Sequence, residues 1–324
     1  MLRYVVKKVI QLAVVLVLIS FLSFAVIYFA PGDISQMYIT ANMTDEQRLA
    51  VIAKLGLDKS LPEQYLAWAS QAIQGNLGVS ATNSNMPVAT LLANRLPATL
   101  LLMGSSLVLA LVLAIPLGLW AGYRRNSKAD AIISGVSYVG MSIPSFWFGM
   151  LLIILFSAVL HVLPSSGMHT VGAESPLDTL RHLVMPTLAL ALGEVAVYIR
   201  YIRANTIGQL GEEYVLASES RGTPRVKVLF KHVLKNTLLP IVTLLGMNLA
   251  SLVCGSFIIE TVFGWPGVGT LAMSAIGARD YTVIMAYIML SGTILVVGNF
   301  VADILYAVVD PRIKLVAEKG GHRG

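Results

Sequence analysis

Apolar residues in this chain gather in runs too long for an ordinary globular core. Stretches free of charged residues extend from Val9 to Ala30, Ala98 to Gly122, Ala131 to Leu160, Thr237 to Ile259 and Tyr281 to Ala302. A further run, from Leu183 to Ile199, is broken only by Glu194. A helix that crosses the hydrocarbon core of a bilayer needs about 20 mainly apolar residues. The pattern therefore predicts an all-α polytopic membrane protein with six transmembrane helices. The first lies within residues 1–30, and the others span about 98–122, 131–160, 183–203, 237–260 and 281–305. The 131–160 run is longer than a perpendicular crossing requires, and Ile143-Pro144 falls inside it, so a tilt or a proline kink is expected there. The first run follows Arg3, Lys7 and Lys8 as a signal peptide would. It is too long for the apolar part of one, however, and no small-x-small cleavage pattern follows, so it is expected to remain as a membrane helix.

Composition agrees with this pattern. Of 324 residues, 56% are hydrophobic and only 12% are charged, against about 25% charged in soluble domains. The net charge of +6 raises the question of nucleic acid, but its distribution argues for orientation instead. With the N-terminus inside, the outer segments hold Arg48, Lys54, Lys59, Arg95, Arg181 and Arg279, and the other seventeen of the 23 Lys and Arg face the cytoplasm. That asymmetry satisfies the positive-inside rule and puts both termini inside. The single cysteine, Cys254, sits in an apolar run and is read as a small buried residue; it excludes an intramolecular disulfide.

The outer segment 31–97 has helical signals of its own. Thr44-Asp45-Glu46-Gln47 reads as a capping box, Gly56 as the stop, Pro62 as the start of a second helix, and Gly75-Asn76-Leu77-Gly78 as a turn. The segment is either a surface cap on the membrane domain or a platform for an external partner. His161, His169 and His182 also lie outside, with Met168 and Met185 nearby, but their spacing fits no metal-ligand pattern and no metal site is expected. The chain contains no Gly-Lys pair, hence no phosphate loop, and lacks the His-Glu-x-x-His and Gly-x-Ser-x-Gly motifs. No catalytic residue is expected. Among polar groups inside the spans, Glu194 is the clearest candidate to line a path, because ionisable groups in lipid are costly. Asn248, Ser142 and Pro144 join it as candidate path residues, while packing against polar groups of a neighbouring helix is the competing account of Glu194.

One cytoplasmic loop, 204–236, is unlike the others. Within it EYVLASESRGTPRVKVLFKHVLKN carries Arg221, Arg225, Lys227, Lys231 and Lys235. Glu212 and Glu213 suit the start of a helix, and Ala217, Ser218 and Ser220 are small. Gly222 should break that helix, with Thr223 as N-cap and Pro224 as first residue of a second. A basic helix lying on anionic lipid would account for the charge. It would not account for the Gly-Thr-Pro corner or for the small residues before it. A protein partner would.

This stretch resembles the coupling loop of binding-protein-dependent ABC importer permeases. The pattern Glu-x3-Ala-x4-Gly, followed by an apolar-Leu-Pro, is met here by Glu213, Ala217, Gly222 and Leu238-Leu239-Pro240; Ser218 and Ser220 stand where the family often has alanine. Pro31-Gly32-Asp33, Leu55-Gly56-Leu57-Asp58, Arg95-Leu96-Pro97-Ala98-Thr99-Leu100, Phe263-Gly264-Trp265-Pro266-Gly267-Val268-Gly269, Arg279-Asp280-Tyr281 and Asp310-Pro311-Arg312-Ile313 resemble the dipeptide, oligopeptide and nickel class. The resemblance implies a permease domain over 98–313 and a cytoplasmic tail at 314–324. It also implies a second homologous permease subunit, two cytoplasmic ATPase subunits carrying ATP and Mg, an external solute-binding protein, and membrane lipid around the spans. No cofactor in this chain and no nucleic acid are implied. By the same resemblance Glu213, Ala217, Ser218, Gly222, Thr223 and Pro224 would couple to the ATPase, and Trp265, Pro266, Gly267, Arg279 and Asp280 would dock the binding protein. A di- or oligopeptide, nickel or a metal chelate would be the cargo. A stand-alone secondary carrier is the competing class; the scarcity of charges inside the spans speaks against it.

Overall fold

The computed structural model of the chain describes residues 2–30, 43–56, 58–173 and 175–309; side chains at 2–5, 7, 54, 55, 239, 240, 242, 243, 246–255 and 302–309 are outside the description. Pro31-Gly32-Asp33, Leu57, Asp310-Pro311-Arg312-Ile313, the 314–324 tail, and the side chain of Asn248 therefore lie outside the described residues. The chain divides into two compact units, Met1–Ala98 with Gly267–Val297, and Thr99–Pro266 with the C-terminal remainder. Helices long and apolar enough to cross a membrane are Lys8–Tyr28, Val88–Tyr123, Pro176–Leu210 and Tyr281–Val301, and a bent helix pair makes a fifth span if counted as one. A 29-residue helix, Leu234–Val262, covers the remaining expected run.

In the first unit, α1 (Leu2–Tyr28) is followed by α2 (Asp45–Leu55) and α3 (Leu61–Ile73). The expected capping box opens α2: the Gln47 amide donates to Thr44 Oγ1 at 3.3 Å, and the Thr44 amide donates to Gln47 Oε1 at 3.0 Å. Ser60 and Glu63 build a second box at α3, with Pro62 in its first turn. Aromatic contacts hold α3 to α1: Tyr65 meets Phe21 edge-on at 5.3 Å, Trp68 lies 6.0 Å from Phe24, and the Tyr65 hydroxyl hydrogen-bonds Ser20 at 2.8 Å.

The unit continues into α4 (Val88–Tyr123), which begins ten residues earlier than its apolar run at Ala98 predicts. It also includes α11 (Val268–Ala278) and the start of α12 (Tyr281–Val309). Val88, Leu91 and Leu92 of α4 pack with Val268, Leu271 and Ala275 of α11 and with Val283 and Ala286 of α12. One carboxylate organises this corner. Asp280 is 1% exposed and caps α12 through the Val283 amide at 3.3 Å. It accepts hydrogen bonds from Ser80 Oγ at 2.7 Å, from Thr82 Oγ1 at 2.9 Å and from the Thr82 amide at 3.2 Å.

The second unit contains the rest of α4, α5 (Lys128–Ser142), α6 (Ser145–Leu152) with a π-helical extension Ile153–Val159, and α7 (Pro176–Leu210). The 131–160 run is not one tilted or gently kinked helix: α5 and the α6 segment meet at 97°. The residue before a proline is driven out of the α region, and Ile143 accordingly adopts φ −86°, ψ 121°. Three glycines allow close helix approach. A Cβ on Gly118 would come within 2.7 Å of Ile202 Cβ, one on Gly122 within 2.6 Å of Thr206 Cβ, and one on Gly149 within 3.0 Å of the Phe263 ring. Gly118 and Gly122 lie four apart on α4 and seat α7 at backbone distance, as small-x3-small pairs do in membrane helices.

Asp280→Ala leaves four donors without their acceptor, each such bond to a charged group contributing about 1.5–3 kcal/mol. Detergent-solubilised protein carrying it should melt several degrees lower; an unchanged melting curve would refute the role. Gly122→Val should displace α7 and cost roughly 1–3 kcal/mol through overpacking, read as reduced yield of folded protein. The same change at Gly193, where nothing lies within 4 Å of an added Cβ, should be tolerated.

Candidate functional site

After α7 the chain forms α8 (Glu213–Ser220) and the short α9 (Arg225–Val228), then a π-helical turn Leu229–Val233 that runs into α10 (Leu234–Val262). Glu212 is the extended residue before α8, and Glu213 lies in its first turn, the dipole-matched place for a carboxylate. The end of α8 is a Schellman motif: the Gly222 amide donates to the Glu219 carbonyl at 2.9 Å, and the Thr223 amide donates to the Ser218 carbonyl at 3.1 Å. Gly222 sits at φ +80°, and an added Cβ would meet nothing within 4 Å, so glycine is required there by conformation and not by crowding. The cap of the next helix falls one residue later than expected. Pro224, at φ −55° and ψ 136°, is the residue before α9, and Thr223 belongs to the preceding turn. The proline ring holds that extended geometry on its own, so no hydroxyl cap is needed.

The bent pair has an inner and an outer face. Inward, Val215, Val228, Leu229 and Val233 are buried against Ala110, Ala114 and Leu119 of α4 and Tyr198, Ile199 and Ile202 of α7. Outward, Glu213, Ala217, Gly222 and Pro224 are exposed, with Ser218 and Thr223 half-buried. Apolar Leu216, Val226 and Phe230 are also exposed, the last at 60%. Ser218 and Ser220 donate back to the carbonyls of Tyr214 and Leu216, at 2.7 and 2.8 Å, which folds their hydroxyls along the helix. The six expected coupling residues thus share one bend. Arg225 ties the bend together: its Nε lies 3.1 Å from Glu219 Oε1 and its guanidinium 5.8 Å from the Tyr123 ring centroid at the end of α4.

The expected path residues are less concentrated. Glu194 lies midway along α7, half-buried, with Oε2 buried and without a hydrogen-bond partner among the described residues. Ser142 donates to the Tyr138 carbonyl at 2.9 Å, and Pro144 stands at the α5–α6 break. Gly140 packs on Leu192 and Ala196, which flank Glu194 in sequence, but no hydrogen bond joins Glu194 to Ser142 among the described residues.

Three of the five expected docking residues are buried. Trp265 is fully buried, and Gly267 and Asp280 are buried as well. The Trp265 amide donates to the Glu260 carbonyl at 2.8 Å, Gly267 is the residue before α11, and the Asp280 carboxylate is consumed by Ser80, Thr82 and the α12 cap. Pro266 is half-buried, and Arg279 alone of the five is exposed, at φ +58° in the turn after α11. Sequence reasoning also misses Glu260, which is fully buried and accepts a 2.7 Å hydrogen bond from Thr99 Oγ1. It stands just past the apolar run that ends at Ile259, and Thr99 belongs to the Arg95–Leu100 motif; no local pattern joins the two.

In the second unit, an open cleft of about 320 Å³ is lined by His161, Thr170, Asp178 and Arg181 among others. His182 is buried beside it, with Nδ1 3.2 Å from the Gly167 carbonyl and Nε2 3.2 Å from Thr170 Oγ1, and Thr170 in turn donates to Asp178 at 2.7 Å. His169 Nδ1 lies 3.1 Å from Thr179 Oγ1. Both histidines are thus engaged with hydroxyls or a carbonyl. Among the described residues no group of three or more His, Cys, Asp or Glu is arranged to hold a metal.

Residues 114–315 match the family described as binding-protein-dependent transport system inner membrane component, and residues 1–103 match the N-terminal domain of the same family. The oligopeptide transport system permease protein AppB of Bacillus subtilis is 39% identical, over 97% of this chain and 100% of that one. The glutathione transport system permease protein GsiC of Escherichia coli is 36% identical and the dipeptide permease DppB of the same organism 32%, each over 97% of this chain and 99% of its own. Among solved structures, the MetNI methionine ABC transporter in inward-facing conformations aligns at TM-score 0.56 and 19% identity, over 68% of this chain and 96% of that one, a likeness of fold alone. The chain belongs to the family of multi-pass inner membrane components of binding-protein-dependent transport systems.

Proposed function

We propose that this chain is one of two homologous permease subunits of an ATP-driven importer, and that its cargo is a di- or oligopeptide. The peptide assignment rests on relatives named as oligopeptide, glutathione and dipeptide permeases across nearly their whole lengths, which favours peptide over nickel or a metal chelate. The coupling assignment rests on one observation, the bent helix pair α8–α9 bolted by Val215, Val228, Leu229 and Val233 onto the core of its membrane unit. A lone carrier has no use for such a fitting.

Two cytoplasmic ATPase subunits would hold ATP and Mg, since this chain has no phosphate loop. The exposed face around Glu213, Ala217, Gly222 and Pro224 would seat on one of them, with Leu216 as an apolar contact. Closure of the ATPase pair would push α8. The buried valines would pass that displacement to α4 and α7 as a rigid body, because packed cores shift between arrangements instead of deforming. A solute-binding protein would deliver cargo from outside, meeting Arg279 and the 31–97 segment. Both termini would be cytoplasmic, as the Lys and Arg distribution requires. Glu194, Ser142, Pro144 and Asn248 remain the proposed path-lining residues.

Reconstituted with its partners in vesicles, the wild-type complex should take up labelled di- and tripeptides only with ATP inside, even when ion gradients are collapsed. Uptake that survives ATP depletion would overturn the importer reading. Gly222→Leu, which forces a β-carbon into the left-handed region, should leave the subunits assembled but lower uptake per ATP hydrolysed at least fivefold. Glu213→Lys should lower recovery of the ATPases on co-purification; full recovery would argue against that contact.

A further inference from the structure

The cytoplasmic ends of α5 and α7 are joined by an ion pair that the coupling loop itself does not contain. Asp130, in the first turn of α5, is 4% exposed. Arg203, two turns before the end of α7, grips it with both arms of its guanidinium: Nη2 lies 2.8 Å from Oδ2, and Nε bonds Oδ1. The carboxylate also accepts from the Asn126 amide at 2.9 Å and from Ser134 Oγ at 3.3 Å, while Ser127 Oγ caps the Asp130 amide at 3.2 Å. The pair is therefore locked into the corner that connects α4 to α5, where Asn126 adopts φ +63°.

That corner and the end of α7 meet the coupling loop from two sides. From Arg203 the helix runs seven residues to Leu210, about 10 Å at 1.5 Å per residue, and α8 begins three residues later. From the corner, Tyr123 receives the guanidinium of Arg225, the first residue of α9. On α4, Gly122 seats Thr206 and the Arg203 carbonyl, so the α4 side of this stretch is closed as well. Asp130 and Arg203 complete a frame of α4, corner, α5 and α7 around the base of the bend.

The Arg203 side chain is 29% exposed, so only the carboxylate is fully buried; such a pair is a poor means of adding stability, because desolvation offsets much of the attraction. What it supplies is a defined geometry, and a bidentate Arg–carboxylate pair defines orientation as well as distance. We propose that Asp130 and Arg203 are positioning residues for energy coupling: they fix the end of α7 to the α4–α5 corner so that displacement of α8 moves α5 and α7 together. This rests on the coupling-loop reading above.

The test compares three variants in the complete reconstituted complex, reading ATP hydrolysis and uptake of labelled trialanine in the same vesicles. Asp130→Asn and Arg203→Lys each keep a polar side chain but lose the two-pronged geometry; both should lower uptake per ATP at least threefold. The double replacement Asp130→Leu with Arg203→Met removes both charges, leaves neither charge unpaired and should melt within a few degrees of the native complex. It should nevertheless show the same loss of uptake per ATP, with hydrolysis retained. Native coupling in the double variant would overturn the proposal, as would its failure to fold or assemble, since the pair would then serve packing or stability alone. Gly222→Leu run alongside separates the two readings: if it uncouples and the double variant does not, only the Asp130–Arg203 proposal falls, and if neither uncouples, the coupling-loop assignment falls with it.

Discussion

The seating of the bent helix pair on its own membrane unit is the contact on which the functional reading depends. Four side chains, Val215, Val228, Leu229 and Val233, place a basic, polar segment against Ala110, Ala114 and Leu119 on one helix and Tyr198, Ile199 and Ile202 on another. Without that apolar underside the loop would be a charged tether, able to hold a partner but not to transmit its movement. The small residues of α4 matter for the same reason. Gly118 and Gly122 bring α7 close enough for backbone contact, so force reaching α7 is not absorbed by flexible side chains.

The buried charges of this chain serve geometry before chemistry. Asp280 gathers Ser80, Thr82 and the start of α12, Asp130 gathers Arg203 and the α4–α5 corner, and Glu260 holds Thr99. Asp280 and Asp130 lie at helix starts, where free amides and the dipole suit a carboxylate; Glu260 sits in the last turn of α10, where the dipole opposes it, and accepts from Thr99 instead. Glu194 is the contrast. It sits in mid-helix with one oxygen buried and without a hydrogen-bond partner among the described residues.

The bend itself shows how little sequence is needed for a sharp change of direction. A glycine at φ +80° closes the Schellman motif, and a proline two residues later restarts the helix from an extended geometry. The same logic at Ile143-Pro144 turns an apolar run into two helices at 97°. A proline in an α-helix sometimes only kinks it, and Pro186 does not even end α7, so the outcome at Pro144 depends on what surrounds the break.

The sequence alone carried the apolar runs, the capping box at Thr44–Gln47, the corner at Gly222 and the family, because each is written in local periodicity or turn chemistry. It could not separate buried from exposed members of a motif. Phe263–Gly269 and Arg279-Asp280-Tyr281 read as surface docking elements, yet Trp265 and Asp280 are buried, since burial depends on partners far away in the chain such as Ser80 and Thr82. The pairings Thr99–Glu260 and Asp130–Arg203 span 161 and 73 residues and leave no spacing signal at all. Hydropathy and turn propensity act over a few residues and are legible in order; which carboxylate meets which donor is decided only when the helices pack.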